Sequence, residues 1–235
     1  MEHRTGGYPH KRAQTRRRLL RAGLLVVAER GVLAATVGDV AARAGVAAGT
    51  FYNHFPTKDD LVEALVGELL TDIQLGAQGV REAEEDPAGR VVLGLLSLLS
   101  RAASEPEFGL ALLELAPHCP LRQHLRRLIG ATIDEGVSQG RFNVRTDEET
   151  TDAALGVALE AVRACGRDPL ERASPPRFAR LLLGLLGVED HDADRVVAGA
   201  VERGVTQGVG SGPGPGAGSA SLGLSSSSSR WAVSG

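Results

Sequence analysis

The ten residues Gly49-Thr50-Phe51-Tyr52-Asn53-His54-Phe55-Pro56-Thr57-Lys58 bring together three aromatic rings, an imidazole, an amide, hydroxyls and an ammonium, in a chain that is only 3% aromatic. These groups form a donor set suited to a polyanion. The Thr50 hydroxyl can reach a phosphate or a base edge and its methyl can meet thymine, while Asn53 can reach either target. Tyr52 and His54 are stiff donors for phosphate oxygens, and Lys58 adds a charge. Phe51 and Phe55, four residues apart, predict an inward face that anchors a short helix. The small Ala47, Ala48 and Gly49 would let the leading end of that helix approach a duplex closely.

Three other groupings have weaker claims to chemistry. Gly136-Val137-Ser138-Gln139-Gly140 fits the G-x-S-x-G pattern of a serine nucleophile, with Asp152 and His191 following in an admissible order. That chemistry needs a strand before the serine, whereas the apolar spacing from Leu121 to Ile133 is helical, so an enzyme is not expected. His118, Cys119 and His124 are metal-ligand types, but Pro120 falls among them and no Glu-x-x-His partner is present; ordinary core roles are expected. The only lysines, Lys11 and Lys58, do not follow phosphate-binding glycines. No metal or other cofactor is expected.

The net charge of −3 conceals an asymmetry, because residues 1–60 alone carry ten Lys/Arg and five Asp/Glu, a net +5. A basic head on an acidic body suits a first domain that meets nucleic acid and a second that does something else. Much of the excess lies in Lys11, Arg12, Arg16, Arg17 and Arg18, which could follow a DNA backbone or form a solvated helix start. Arg21 and Glu29 interrupt the apolar run after these arginines, so an export signal is not expected. No segment approaches the roughly 18 apolar residues of a membrane span, and two distant cysteines, Cys119 and Cys165, make no disulfide framework. The expected setting is the cytoplasm, with no membrane partner and two buried, inert thiols.

The elements that would position these residues are helices, since β-branched and aromatic residues other than Val are scarce. Residues 1–10 read as a flexible basic arm. Leu20, Leu24 and Val27 predict a first helix from Thr15 that stops at Gly31; Thr36 caps a second, ended by Ala44-Gly45; a third spans 48–54; Thr57 caps a longer fourth. Pro87, Pro106, Pro120 and Pro175-Pro176 stand at first-turn positions of later helices, another runs from 147 to about 165, and 192–203 adds a last one. The fold class is all-α, with a three-helix domain over 11–58 whose helix-turn-helix covers about 36–55, a second helical domain over 59–203, and a disordered Gly/Ser/Pro tail over 204–235.

Residues 15–61, through "RRLLRAGLLVVAERG" and "ATVGDVAARAGVAAGTFYNHFPTKDDL", resemble the DNA-binding domain of the tetracycline-repressor (TetR) family. The resemblance implies a dimeric transcriptional regulator, usually a repressor, that binds double-stranded operator DNA and carries a small-molecule effector site in its C-terminal domain. Thr36, Thr50, Tyr52, His54 and Lys58 match positions that touch the DNA backbone, and Gly38, Ala47, Ala48 and Asn53 match positions that read or flank bases. Gly38 and Ala47-Ala48 lack the long or capping side chains common there, which would shift binding toward Arg16, Arg17 and the arm. Ala153, Ala154, Gly156 and Ala158 permit close helix approach, and with the resemblance they predict a homodimer interface over 147–165 and 175–187 containing Leu155, Leu159, Leu182 and Leu186. Phe108, Leu112, His118 and Phe142 are the candidate lining of an apolar effector pocket. The alternatives are an effector-free DNA-binding protein and, less favoured, a hydrolase using Ser138.

Overall fold

The protein is described here by a computed structural model, which covers residues 7–167 and 174–206. Among the described residues ten helices run in chain order: α1 Gly7–Ala34, α2 Val37–Ala44, α3 Ala48–Tyr52, α4 Lys58–Ala83, α5 Pro87–Ser104, α6 Pro106–Leu115, α7 Cys119–Ser138, α8 Glu148–Arg167, α9 Pro175–Leu185 and α10 Asp190–Thr206. Among the described residues there is no strand. The expected tail lies outside the described residues from 207 on, while 204–206 form the last turn of α10. At the other end α1 begins at Gly7, so residues 7–10 are helix and not part of an arm; residues 1–6 are outside the description.

Local chemistry fixes the helix ends. Thr36 and Thr57 each cap a helix in the same way: the hydroxyl accepts the amide of the residue three ahead, Asp39 or Asp60, at 3.1 Å, and that residue's carboxylate accepts the threonine amide in return. Two donors are thereby satisfied at each start. α1 breaks at Gly31, whose φ of +76° suits only glycine at low cost, and a side chain there would meet the Glu114 carboxylate of α6 at 2.9 Å. The break therefore also seats α1 on α6, and so docks the first domain on the second.

One continuous apolar interior runs through the molecule. In the first domain Leu19, Leu20 and Val27 of α1 and Val40 of α2 close around Phe51, Phe55 and the first turns of α4. In the second, Val92, Leu95 and Leu99 of α5 meet Leu112 and Leu115 of α6, Leu121 and Ile133 of α7, Val162 of α8 and Leu183 of α9. Among the described residues Arg90 of α5 is the one buried charged residue, and its guanidinium lies 2.6 Å from the Glu135 carboxylate of α7. A further cation, Arg101, binds Asp72 of α4 at 2.8 Å and lies 3.8 Å from the centre of the Phe108 ring. These contacts tie α4 to α5, α6 and α7, so a shift of one of these helices loads the others.

The second domain departs from the sequence reading at two places. Leu155, Leu182 and Leu186, expected at a dimer interface, are buried within their own subunit, and Leu159 is half-buried. The outward positions of α9 are Arg177, Arg180, Leu181, Gly184 and Leu185. The run Leu181-Leu182-Leu183 points to three sides of the helix, so its own spacing does not separate the outward leucine from the inward pair; Arg177 and Arg180 on the outward side are the signal that could have done so. Likewise Phe108, Leu112 and Phe142 are not pocket lining but packed core, at most 4% exposed. Phe142 lies so close over Gly136 that a Cβ there would overlap its ring. His118 is half-buried and precedes the first turn of α7.

Candidate nucleic-acid interface

The turn between α2 and α3 depends on Gly45, which takes a left-handed φ of +64° while the Val46 amide donates to the Ala41 carbonyl at 3.0 Å. Arg18 reaches across from α1 and donates to the Ala44 carbonyl at 2.5 Å, which covers the negative end of α2. Beyond the turn, α3 has only five residues, with Asn53 as its C-cap, so it ends two residues earlier than spacing suggested. A helix of little more than one turn holds its orientation here because Phe51 and Phe55 are fully or almost fully buried with their rings 5.7 Å apart. Tyr52 stands edge-on to Phe51 at 5.5 Å and is 54% exposed.

The opposite surface carries the expected contact residues. Thr36, Gly38, Ala47, Ala48, Gly49, Tyr52, Asn53, Arg16 and Arg17 are exposed, and Thr50, His54 and Lys58 are half-buried. Nothing lies within 4 Å of the space a Gly49 side chain would take, so the backbone is open to close approach. Arg12 and Arg16, four apart on α1, share a surface cleft of about 400 Å³ with Ala13 and His54. The Arg16 guanidinium stands 5.0 Å from the centre of the Phe55 ring. Burial first, then the positive charges of Arg12 and Arg16, hold the His54 imidazole below the ordinary histidine value. Sequence spacing places Arg12 and Arg16 on one face, but not beside His54.

Three of the expected DNA contacts have partners inside the protein. Arg18 closes α2. The Thr36 hydroxyl donates to Asp39 at 2.7 Å, and its single proton is engaged there. The Lys58 ammonium donates to the carbonyls of Val32, Leu33 and Ala35 at 3.1, 3.4 and 3.2 Å, one for each of its protons. It thus joins the start of α4 to the end of α1. Replacing Lys58 by Ala should lower stability by about 1–2 kcal/mol and leave the salt dependence of DNA binding close to wild type. Thermal unfolding followed with a salt titration checks both; a salt slope lower by about one unit would return Lys58 to the phosphate contacts.

The competing chemistries do not assemble. Ser138 ends the twenty-residue helix α7 and its hydroxyl donates to the Glu135 carbonyl at 2.7 Å. Asp152 pairs with Arg122 and Arg126, which puts it about 18 Å from Ser138 along α7 at 1.5 Å per residue. Among the described residues no three His, Cys, Asp or Glu side chains are grouped to hold a metal ion. Cys165 is buried, but Cys119 is exposed, with its sulfur accepting the Gln123 amide at 3.1 Å; only one of the two thiols is therefore buried. No described helix is long and apolar enough to cross a membrane.

Comparison with known proteins bears on the same surface. Residues 19–65, from the middle of α1 into α4, match the bacterial regulatory proteins of the tetR family. Over this stretch, and over this stretch alone, the chain is similar to the tetR family. A curated relative, the HTH-type transcriptional regulator BetI 2 of Chromohalobacter salexigens, is 36% identical over 81 residues, which is 34% of this chain and 39% of that protein. Kinship in sequence thus spans well under half of that tetR-family relative. The likeness in fold extends further. The structure of RolR in complex with resorcinol superposes with a TM-score of 0.58 at 24% identity over 81% of this chain and 96% of that one. A gamma-butyrolactone receptor described as ArpA-like gives 0.62 at 19% identity, over 81% and 97%.

Proposed function

We propose that the protein is a repressor that binds a palindromic operator as a homodimer and leaves it when a small, mainly apolar effector binds. The observation that carries the DNA-binding half is α3 itself: Gly45 turns it outward, Phe51 and Phe55 pin one side, and Thr50, Tyr52 and Asn53 stand on the other. A five-residue helix reads few base pairs, and a dimer doubles the reading while fixing the spacing of two half-sites. The outward residues of α8 and α9, including Gly156, Leu181, Gly184 and Leu185, suit a four-helix contact across a two-fold axis.

The effector half rests on α4, which runs from Lys58 beside α1 to Arg81 beside Glu135 in the second domain. A ligand that parts α4 from α5 and α7 would move the first domain with it. Related folds include one solved with resorcinol, and the Leu-rich interior favours an apolar guest. Dense packing around Phe108, Leu112 and Phe142 favours the second reading, a DNA-binding protein without an effector. Selection from a random duplex library should recover a palindrome with two protected half-sites about one helical turn apart. An effector, found by screening lipophilic compounds, must bind the free protein more tightly than the DNA complex by the factor with which it weakens operator binding. Absence of enrichment for any duplex would remove the DNA-binding reading, and ligands that leave operator affinity unchanged would favour the effector-free one.

A further inference from the structure

The cleft between α1 and the end of α3 holds three nitrogen bases and no acid on its walls: Arg12, Arg16 and His54. No described hydrogen bond or ion pair engages the His54 imidazole. Glu68 of α4 interacts electrostatically with Arg16 and with Asp72, the latter bound to Arg101 of α5. Glu68 is half-buried and one of its oxygens has no hydrogen-bond partner. The cleft therefore presents two fixed cations and one titratable base to whatever anion enters from outside, while the Glu68 carboxylate opposes it through Arg16.

We propose that DNA binding at this cleft is coupled to proton uptake: a backbone phosphate entering between Arg12, Arg16 and His54 is met by His54 as imidazolium, so the protein holds DNA more tightly as pH falls from about 7.5 to about 6. The inference rests on the DNA-binding reading above. In the free protein burial favours the neutral ring, and the two guanidiniums repel a third positive charge. A phosphate reverses both influences, since it offsets the guanidiniums and accepts a hydrogen bond from the charged ring. The folded, unbound protein thus binds fewer protons at His54 than the complex does, and linkage requires affinity to rise as protons become available. Protonation is complete on the acid side of the free-protein titration, so the dependence flattens there. It also flattens above the titration of the complex, where neither state holds the proton.

The test is operator affinity at constant ionic strength across this pH range, using the duplex recovered by selection. Wild type should tighten by up to about tenfold per pH unit for each cleft that takes up a proton. Calorimetry in two buffers of different ionisation enthalpy should show net proton uptake on binding without recourse to any variant. His54→Gln and His54→Asn should flatten the pH profile and remove the uptake, while His10→Gln keeps both. Glu68→Gln should tighten binding at every pH, because it removes the carboxylate that interacts with Arg16, and should keep the slope. A wild type that binds the duplex with affinity independent of pH overturns the coupling and leaves the DNA-binding reading standing. A slope that survives in both His54 variants, or vanishes in Glu68→Gln, also overturns it. Failure to bind any duplex at any pH overturns the DNA-binding reading and this coupling together.

Discussion

Leu181→Glu combined with Leu185→Glu should turn a dimer into a monomer and weaken operator binding by about a hundredfold or more. Leu181 is 56% exposed and Leu185 36%, one helical turn apart on α9, beside Gly184, which adds no side chain between them. α8 offers Ala153, Gly156 and Glu160 outward. In a two-fold contact each substitution occurs twice, once on either side of the axis, so each introduces two carboxylates into the interface and costs twice. The fold of the subunit should survive, because both side chains point away from the interior that Leu182, Leu183 and Leu186 fill. Loss of the dimer removes the second half-site as an effectively intramolecular contact, a benefit of about 10²–10⁴ in affinity for suitably linked sites. Sedimentation equilibrium together with operator titration checks the two parts. Leu182→Glu is the contrast, since it should unfold the subunit and not merely divide the pair. A doubly substituted protein that still sediments as a dimer would place the interface elsewhere.

The difference between these two leucine pairs marks the limit of what spacing can carry. Helix starts were legible because they are local: Thr36 with Asp39, Thr57 with Asp60, and proline at the first turns of α5, α6, α7 and α9 each settle within three or four residues. The turn at Gly45 and the inward pair Phe51 and Phe55 belong to the same class. Partners distant in sequence were not legible. Arg18 and Ala44 are 26 residues apart, as are Lys58 and Val32, and a cation with a carbonyl waiting for it reads in the sequence like any surface cation. The basic run suggested DNA for Arg18, and the donor set with the family resemblance suggested it for Lys58. The run Leu181-Leu182-Leu183 of α9 failed for a different reason, because consecutive leucines point to all sides of a helix and the outward side was marked only by Arg177 and Arg180 before the run.

Phe51→Ala should abolish operator binding while the second domain remains folded and able to pair. The ring is fully buried and lies between Tyr52 and Phe55 in a helix of five residues. Such a helix is too short to hold itself together by its own hydrogen bonds. Removing a buried Phe costs about 3–5 kcal/mol, a large part of the 5–15 kcal/mol that typically stabilises a whole domain. The loss falls on the contacts that keep α3 in place and Tyr52 upright, whereas the α5–α9 interior does not touch the site of substitution. Hydrogen exchange should therefore quicken across α2, α3 and the first turns of α4 before it does in α5 or α8. Phe51→Leu keeps much of the volume and should retain measurable binding. Wild-type operator affinity in Phe51→Ala, with slow exchange preserved in α3, would mean that the recognition helix is held by something other than its aromatic pair. A loss of dimer in the same variant would show that the two domains unfold as one unit, through the seat of α1 on α6 at Gly31 and Glu114.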